Sequence, residues 1–149
     1  MKTASLRVQR VLPASVWRVF EAWTRPELMA QWFVVDPSWQ GKAAVDFRVG
    51  GKYRVEMDRR DGTIFVAFGE YLEIVPPRRL VFTWSSAVPP IAGSVVTVEL
   101  VPSGDDTQLT LTHELLPDTD EGRAHVIGWD GTLGNLQRFL SRDLAGGAP

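Results

Sequence analysis

The sequence predicts an α+β fold in which one antiparallel sheet is covered by a long C-terminal helix. Two observations carry this. Through most of the chain apolar and polar residues alternate in short segments separated by hairpin-length turns, the pattern of antiparallel strands with one wet face. Near the end the period changes, and Trp129, Leu133, Leu136 and Leu140 recur at steps of four, three and four. They form one apolar stripe, flanked by Phe139, on a helix read from about Gly128 to about Leu144. An apolar sheet face and an apolar helix stripe can each cover the other.

In chain order, Leu6 and Val8 alternate with Arg7 and Gln9, which reads as an edge strand. Pro13 opens a short amphipathic helix with Val16, Trp17, Phe20 and Trp23 on one side. Thr24 and Glu27 have capping-box spacing, so a second short helix is expected from there to about Trp32. Val34 to Lys42, with Pro37 and Gly41 around Trp39, reads as a loop carrying an aromatic residue. Alternation resumes at Val45 and Phe47, breaks at Gly50-Gly51, and continues through Tyr53, Val55 and Met57. Asp61-Gly62 is the strongest hairpin signal, launching a strand from Thr63 to about Val75 with a bulge expected at Gly69. Pro76 and Pro77 end it. Leu80, Phe82 and Trp84 define the next strand; after a Pro-Gly loop, Val96, Val98 and Leu100 define another. The turn at Pro102 to Asp106 leads into Thr107 to Glu114, with Leu109, Leu111 and His113 on one face. Pro117 to Gly122 reads as a polar connection, and the terminal GGAP as a frayed tail.

The long helix carries Gly128, Gly131 and Gly134 on the side opposite the Trp129 stripe. A glycine inside a helix costs about 1 kcal/mol relative to alanine. Three of them imply either an outward face that tolerates glycine, the close approach of a second copy in a homodimer, or a helix end that moves on binding.

The 149 residues suit one domain with a substantial core. Hydrophobic residues make up 44%, yet no apolar run approaches a membrane span and no signal-peptide layout opens the chain, so a cytoplasmic location is expected. With no cysteine, disulfides and thiolate chemistry are excluded. Sixteen basic against 18 acidic side chains give no electrostatic case for nucleic acid or an anionic membrane. Two separated histidines without metal-ligand spacing argue against a metal site, and no pattern calls for a cofactor. Six tryptophans are the compositional surplus: something large is lined or filled.

The chain resembles the START-like, or helix-grip, superfamily, and within it the family similar to the C-terminal domain of the activator of the ninety-kilodalton heat-shock protein ATPase. The resemblance rests on Pro13-x3-Trp17, Thr24-Arg25-Pro26-Glu27 with Trp32, and Asp46-Phe47-Arg48-x-Gly50-Gly51. It continues through Gly69-Glu70-Tyr71 with Pro77-x2-Leu80, Thr110-x2-His113 and Gly128-Trp129, in that order. It implies a curved antiparallel sheet of six to seven strands gripping the C-terminal helix, two short helices after the first strand, and a cavity for an apolar or amphipathic ligand. Relatives range from lipid carriers to polyketide cyclases and co-chaperone domains, so a chaperone is also a candidate partner and fold alone does not select the activity.

Strand parity and helix phase aim one set of side chains at the volume between sheet and helix. From the first half these are Trp32, Phe47, Tyr53, Val55 and Phe68; from the second, Trp84, Val98, Leu111, Trp129 and Leu133. They are the expected wall of a cavity for a small hydrophobic or amphipathic molecule, with Trp39 and Pro89-Pro90-Ile91 at its mouth. His113 shares that inward face, either as a polar anchor or proton carrier for the ligand or as a core histidine bonded to a neighbour. Glu70 shares the parity of Ile64, Val66, Phe68, Leu72 and Ile74 and would face inward unless the bulge turns it out. An inward Glu70 with His113 would make an acid-base pair for a cyclase- or hydrolase-like reaction. His125 is expected to be exposed. Asp46 and Arg48 read as a structural ion pair.

Overall fold

A computed structural model describes residues 3–146, so residues 147–149 of the terminal tail lie outside the described residues. Strand β1 (Thr3–Leu12) is followed by helices α1 (Val16–Thr24) and α2 (Pro26–Trp32). Six strands then run in succession: β2 (Gln40–Val45), β3 (Lys52–Asp58), β4 (Ile64–Val75), β5 (Arg79–Ser86), β6 (Ile91–Ser103) and β7 (Asp106–Pro117). A single turn, α3 (Asp120–Arg123), leads into α4 (His125–Gly146). The sheet is seven-stranded and antiparallel, in the order β1-β7-β6-β5-β4-β3-β2. This is the α+β, helix-grip layout, with β1 at one edge as its alternation predicts.

Local chemistry explains most element ends. Ser15 caps α1 by accepting from the Arg18 N–H, so Pro13 precedes the helix and does not lie in its first turn. Thr24 does not cap α2 either. Its hydroxyl turns back to the Glu21 carbonyl, and α2 starts on Pro26, whose missing N–H leaves nothing to satisfy. Strand β2 ends at Val45, and Asp46 to Gly51 is a connection in which Arg48 pairs with Asp46 at 2.9 Å, the structural role expected of them. Gly62 adopts φ 95° in the β3–β4 turn, and Asp61 accepts from the Thr63 N–H and hydroxyl at 3.0 and 2.6 Å. The sequence overlooks α3, which Thr119 caps by accepting from Gly122 N.

The core lies between the concave sheet face and α4. Leu12, Leu80, Leu109 and Leu111 meet Leu133, Leu136 and Leu140 there, all essentially without exposure. Trp17 departs from the expected α1 stripe and is 55% exposed, while Val19 takes its place inside. In β4 the irregularity falls between Tyr71 and Glu73, not at Gly69. Up to that point the strand alternates regularly against β3, with Phe65, Ala67 and Tyr71 pointing inward and Phe68, at 44% exposure, pointing out. Gly69 has a different reason: a Cβ there would stand 2.0 Å from the Thr83 carbonyl oxygen of β5.

The glycine face of α4 is covered by the chain's own α2–β2 segment. A Cβ on Gly131 would lie 2.5 Å from the Val35 carbonyl oxygen, and Asn135 Nδ2 donates to the Val34 carbonyl at 2.6 Å. Gly128 also faces Val35, whereas Gly134 lies under the Arg138 guanidinium. The close approach that Gly131 permits is thus intramolecular, which gives that glycine a reason independent of any second copy.

Candidate functional site: an aromatic cavity beside the N-terminal half of the long helix

The interior between sheet and helix has two unequal parts. Around Trp23, Met29, Tyr53, Tyr71 and Phe82 it is filled, with a residual space of about 10 Å³, near the minimum for one water. Trp23 Nε1 is a buried polar atom there with no hydrogen-bond partner among the described residues. Beyond Phe33 the packing opens into a cavity of about 380 Å³. The sheet supplies Met57, Phe65 and Trp84 to its wall, the α2–β2 segment supplies Phe33, Val35 and Trp39, and α4 supplies Gly128, Trp129 and Thr132.

The wall is aromatic for a structural reason. Trp129 projects from the α4 stripe toward β5, where its ring centroid is 5.0 Å from that of Trp84. Phe33 stands 5.7 Å from Trp129 and stacks on Trp84 at 6.2 Å with 17° between planes. At the mouth Trp39 carries the Arg59 guanidinium 5.3 Å over its ring, and Pro89 borders the same opening. Of the residues expected at the mouth, Trp39 and Pro89 line the cavity, whereas Ile91 is buried at the start of β6.

A directional hydrogen-bond chain fixes this wall from behind. Trp129 Nε1 donates to His113 Nδ1 at 3.0 Å. His113 Nε2 lies 2.8 Å from Ser94 Oγ, which donates to the Trp84 carbonyl at 2.6 Å, so His113 carries its proton on Nε2. Trp84 Nε1 donates to His125 Nε2 at 3.3 Å, which leaves His125 Nδ1 to donate to the Glu121 carbonyl at 2.9 Å. The His113 imidazole is thereby neutral in this network. Burial and, secondarily, the neighbouring His125 push His113 down to about 3.

The structure distributes the sequence-derived candidates unevenly. Trp84 and Trp129 border the cavity. Trp32, Tyr53, Val55, Val98, Leu111 and Leu133 are buried in the packed core, Trp32 being tied by Nε1 to the Ala22 carbonyl at 2.9 Å. Phe47 packs over Phe20 and Tyr71 away from the opening. Phe68 is on the outer sheet face. His113 sits behind the wall with both nitrogens bonded. Glu70 stands with Phe68 and Leu72 on the outward parity of β4, opposite Lys52 of β3, and so does not meet His113. The inward acid-base pair is therefore corrected: unbroken pairing with β3 puts Ala67 and Gly69 on the face of Val55 and Tyr53, and Glu70 on the opposite face with Lys52. His125 is also corrected, being half-buried against His113 with 5.4 Å between ring centroids.

Sequence reasoning missed Phe33, Val35, Met57, Arg59, Phe65, Glu121, His125 and Thr132. His125 had a usable signal, since it precedes Trp129 by four residues and extends the stripe by a turn. Val35 and Phe33 had none, because a loop has no periodicity from which a facing direction can be read.

A sheet wrapped on a long terminal helix, with an aromatic cavity beside that helix, defines a helix-grip, START-like protein. Residues 13–141 match the family described as activator of Hsp90 ATPase homolog 1-like protein, and the chain belongs to that family. No curated protein matches it. Among solved structures, a protein from Rhizobium leguminosarum is 31% identical over 95% of this chain and 96% of its own, with a TM-score of 0.80. One from Chromobacterium violaceum is 28% identical over 92% and 97%, with a TM-score of 0.79. An AHSA1-like protein from Aeromonas hydrophila shares the fold at 22% identity, covering 96% and 94%, with a TM-score of 0.78. Among the described residues no helix is long and apolar enough to cross a membrane.

Proposed function

We propose that the protein binds a small hydrophobic or amphipathic molecule in the cavity between the sheet and the first half of α4. The supporting observation is a space of about 380 Å³ walled by Phe33, Phe65, Trp84 and Trp129; a second space, of about 480 Å³, lies on the other side of Trp39 against Gln31, Asn135, Arg138 and Arg142 and lacks such an aromatic wall. A space of that size suits a small organic ligand, and apolar walls with a few polar groups at one edge are the usual composition of such sites. His113 acts behind the wall, orienting Trp129 and, through Ser94, the Trp84 backbone. Its neutral, fully bonded imidazole argues for structural service over proton transfer, so binding without turnover is the reading favoured.

The test is titration with the neutral fluorophore N-phenyl-1-naphthylamine, followed by probe emission and tryptophan quenching. Gly128→Leu places a side chain at the wall, where the added Cβ meets Val35 Cγ2 only at ordinary contact distance of 3.8 Å. It should fold normally and weaken the probe at least tenfold. Absence of binding to wild type, with no small molecule released from the purified protein on denaturation, would overturn the reading.

A second reading has its own observation. Ile64, Phe68 and Leu72 leave an apolar row about half exposed on the outer face of β4, which supports a protein-interaction role of the co-chaperone kind. Phe68→Glu should abolish association with a chaperone while leaving probe binding intact; association unaffected by this change would remove that row from consideration.

A further inference from the structure

We infer that the cavity selects aromatic carboxylates, with Arg59 as the residue that reads the carboxylate; this rests on the ligand-binding reading above. The cavity has two charged side chains at its edge, Arg59 from the β3–β4 turn and Glu121 from α3. Their circumstances differ. Glu121 occupies the first turn of α3, where a carboxylate complements unpaired N–H groups, so its charge has a local structural reason. Arg59 has none. It forms no ion pair within 4 Å with a described residue, although Arg10, Arg25, Arg48, Arg54, Arg79 and Arg123 all do.

What holds Arg59 is the face of Trp39, 5.3 Å from its guanidinium carbon, at the lip of the cavity. A cation–π contact over an indole consumes none of the guanidinium's N–H donors, and those donors match the two oxygens of a carboxylate. Asp61 is the nearby carboxylate that feels the Arg59 charge, and it is already engaged by the Thr63 N–H and hydroxyl. The rest of the wall calls for a flat apolar body. Phe33, Trp84 and Trp129 pack on one another at 5.0–6.2 Å and, with Phe65, turn an aromatic surface to the cavity, on which a flat ring can stack or pack edge-on. Glu121 repels the same carboxylate, so the ligand enters with its acid group on the hairpin side.

The probes are 2-naphthoate and its neutral isostere 2-naphthamide, titrated at low and at 0.5 M salt by calorimetry and tryptophan quenching. The acid should bind wild type about fivefold more tightly than the amide at low salt, a preference that salt erodes as it does for any exposed charge pair. In Arg59→Gln the acid should lose its advantage and bind no more tightly than the amide. In Glu121→Gln the acid alone should gain about twofold. Equal binding of acid and amide to wild type, or a preference that survives in Arg59→Gln, overturns the selectivity while leaving the cavity's role intact. Failure of both probes to bind a protein that still binds N-phenyl-1-naphthylamine overturns this inference alone; failure of all three overturns the cavity reading with it.

Discussion

Acidification from pH 7 to pH 5 should destabilise this protein through a single buried ring. His113 has no exposed surface, and its Nδ1 lone pair is taken by the Trp129 indole. A second proton would have to displace that N–H and place a charge between two tryptophans and His125. Burial and His125 hold its pKa at about 3, against 6.5 for an unperturbed histidine. Between those values the unfolded chain binds a proton that the folded chain refuses, so stability rises with pH in this window. The contribution is complete above about pH 6.5 and is lost progressively as pH falls toward 3. From pH 7 to pH 5 the linkage relation gives a loss of about 2 kcal/mol from this group. Urea unfolding monitored by fluorescence at both pH values reads it directly. His113→Gln cannot satisfy both Trp129 and Ser94 in the same geometry and should cost about 1–3 kcal/mol at pH 7. Its further loss at pH 5 should be smaller than wild type's by about 2 kcal/mol. Should the variant fail to fold, the His113 ring resonances of wild type give the answer alone. Titration of that ring near pH 6.5 in the folded protein, or equal pH dependence of the two proteins, would refute the reasoning.

Three further outcomes follow from the helix and its cover. Gly131→Ala should destabilise despite the roughly 1 kcal/mol of helix propensity it gains, because the new Cβ meets the Val35 carbonyl oxygen at 2.5 Å. Gly134→Ala, whose nearest neighbour is an Arg138 nitrogen at 3.8 Å, should stabilise by about 0.5–1 kcal/mol in the same thermal unfolding assay. Asn135→Ala strands the buried Val34 carbonyl and should cost about 1–3 kcal/mol, with faster amide exchange across residues 34–36 as its local signature.

Where a periodic pattern met a matching element, the sequence was sufficient. The stripe from Trp129 to Leu140, the alternation in β3, β5 and β7, and the Asp61-Gly62 turn all carry their facing direction within a few residues. The family resemblance added the grip of sheet on helix. Phase failed in β4, where Ile64, Val66 and Phe68 alternate as regularly as Phe65 and Ala67 and both parities are apolar. Only pairing with β3 and β5 selects which row is inside, and the shift at Tyr71 to Glu73 then brings Ile74, of the other parity, back against the core.

The cavity itself was decided by tertiary structure. Its third wall is the segment from Phe33 to Trp39, which has no repeat to indicate direction and is placed by a close approach to Gly131 and a hydrogen bond from Asn135 about a hundred residues later. From the sequence those glycines are a weakness in a helix and His113 is a reactive ring. In the folded chain the glycines admit a backbone, and the ring is a neutral link between two tryptophans. Composition and period determine which faces are apolar, but a void exists only where elements distant in sequence fail to meet, and that depends on where each of them is held.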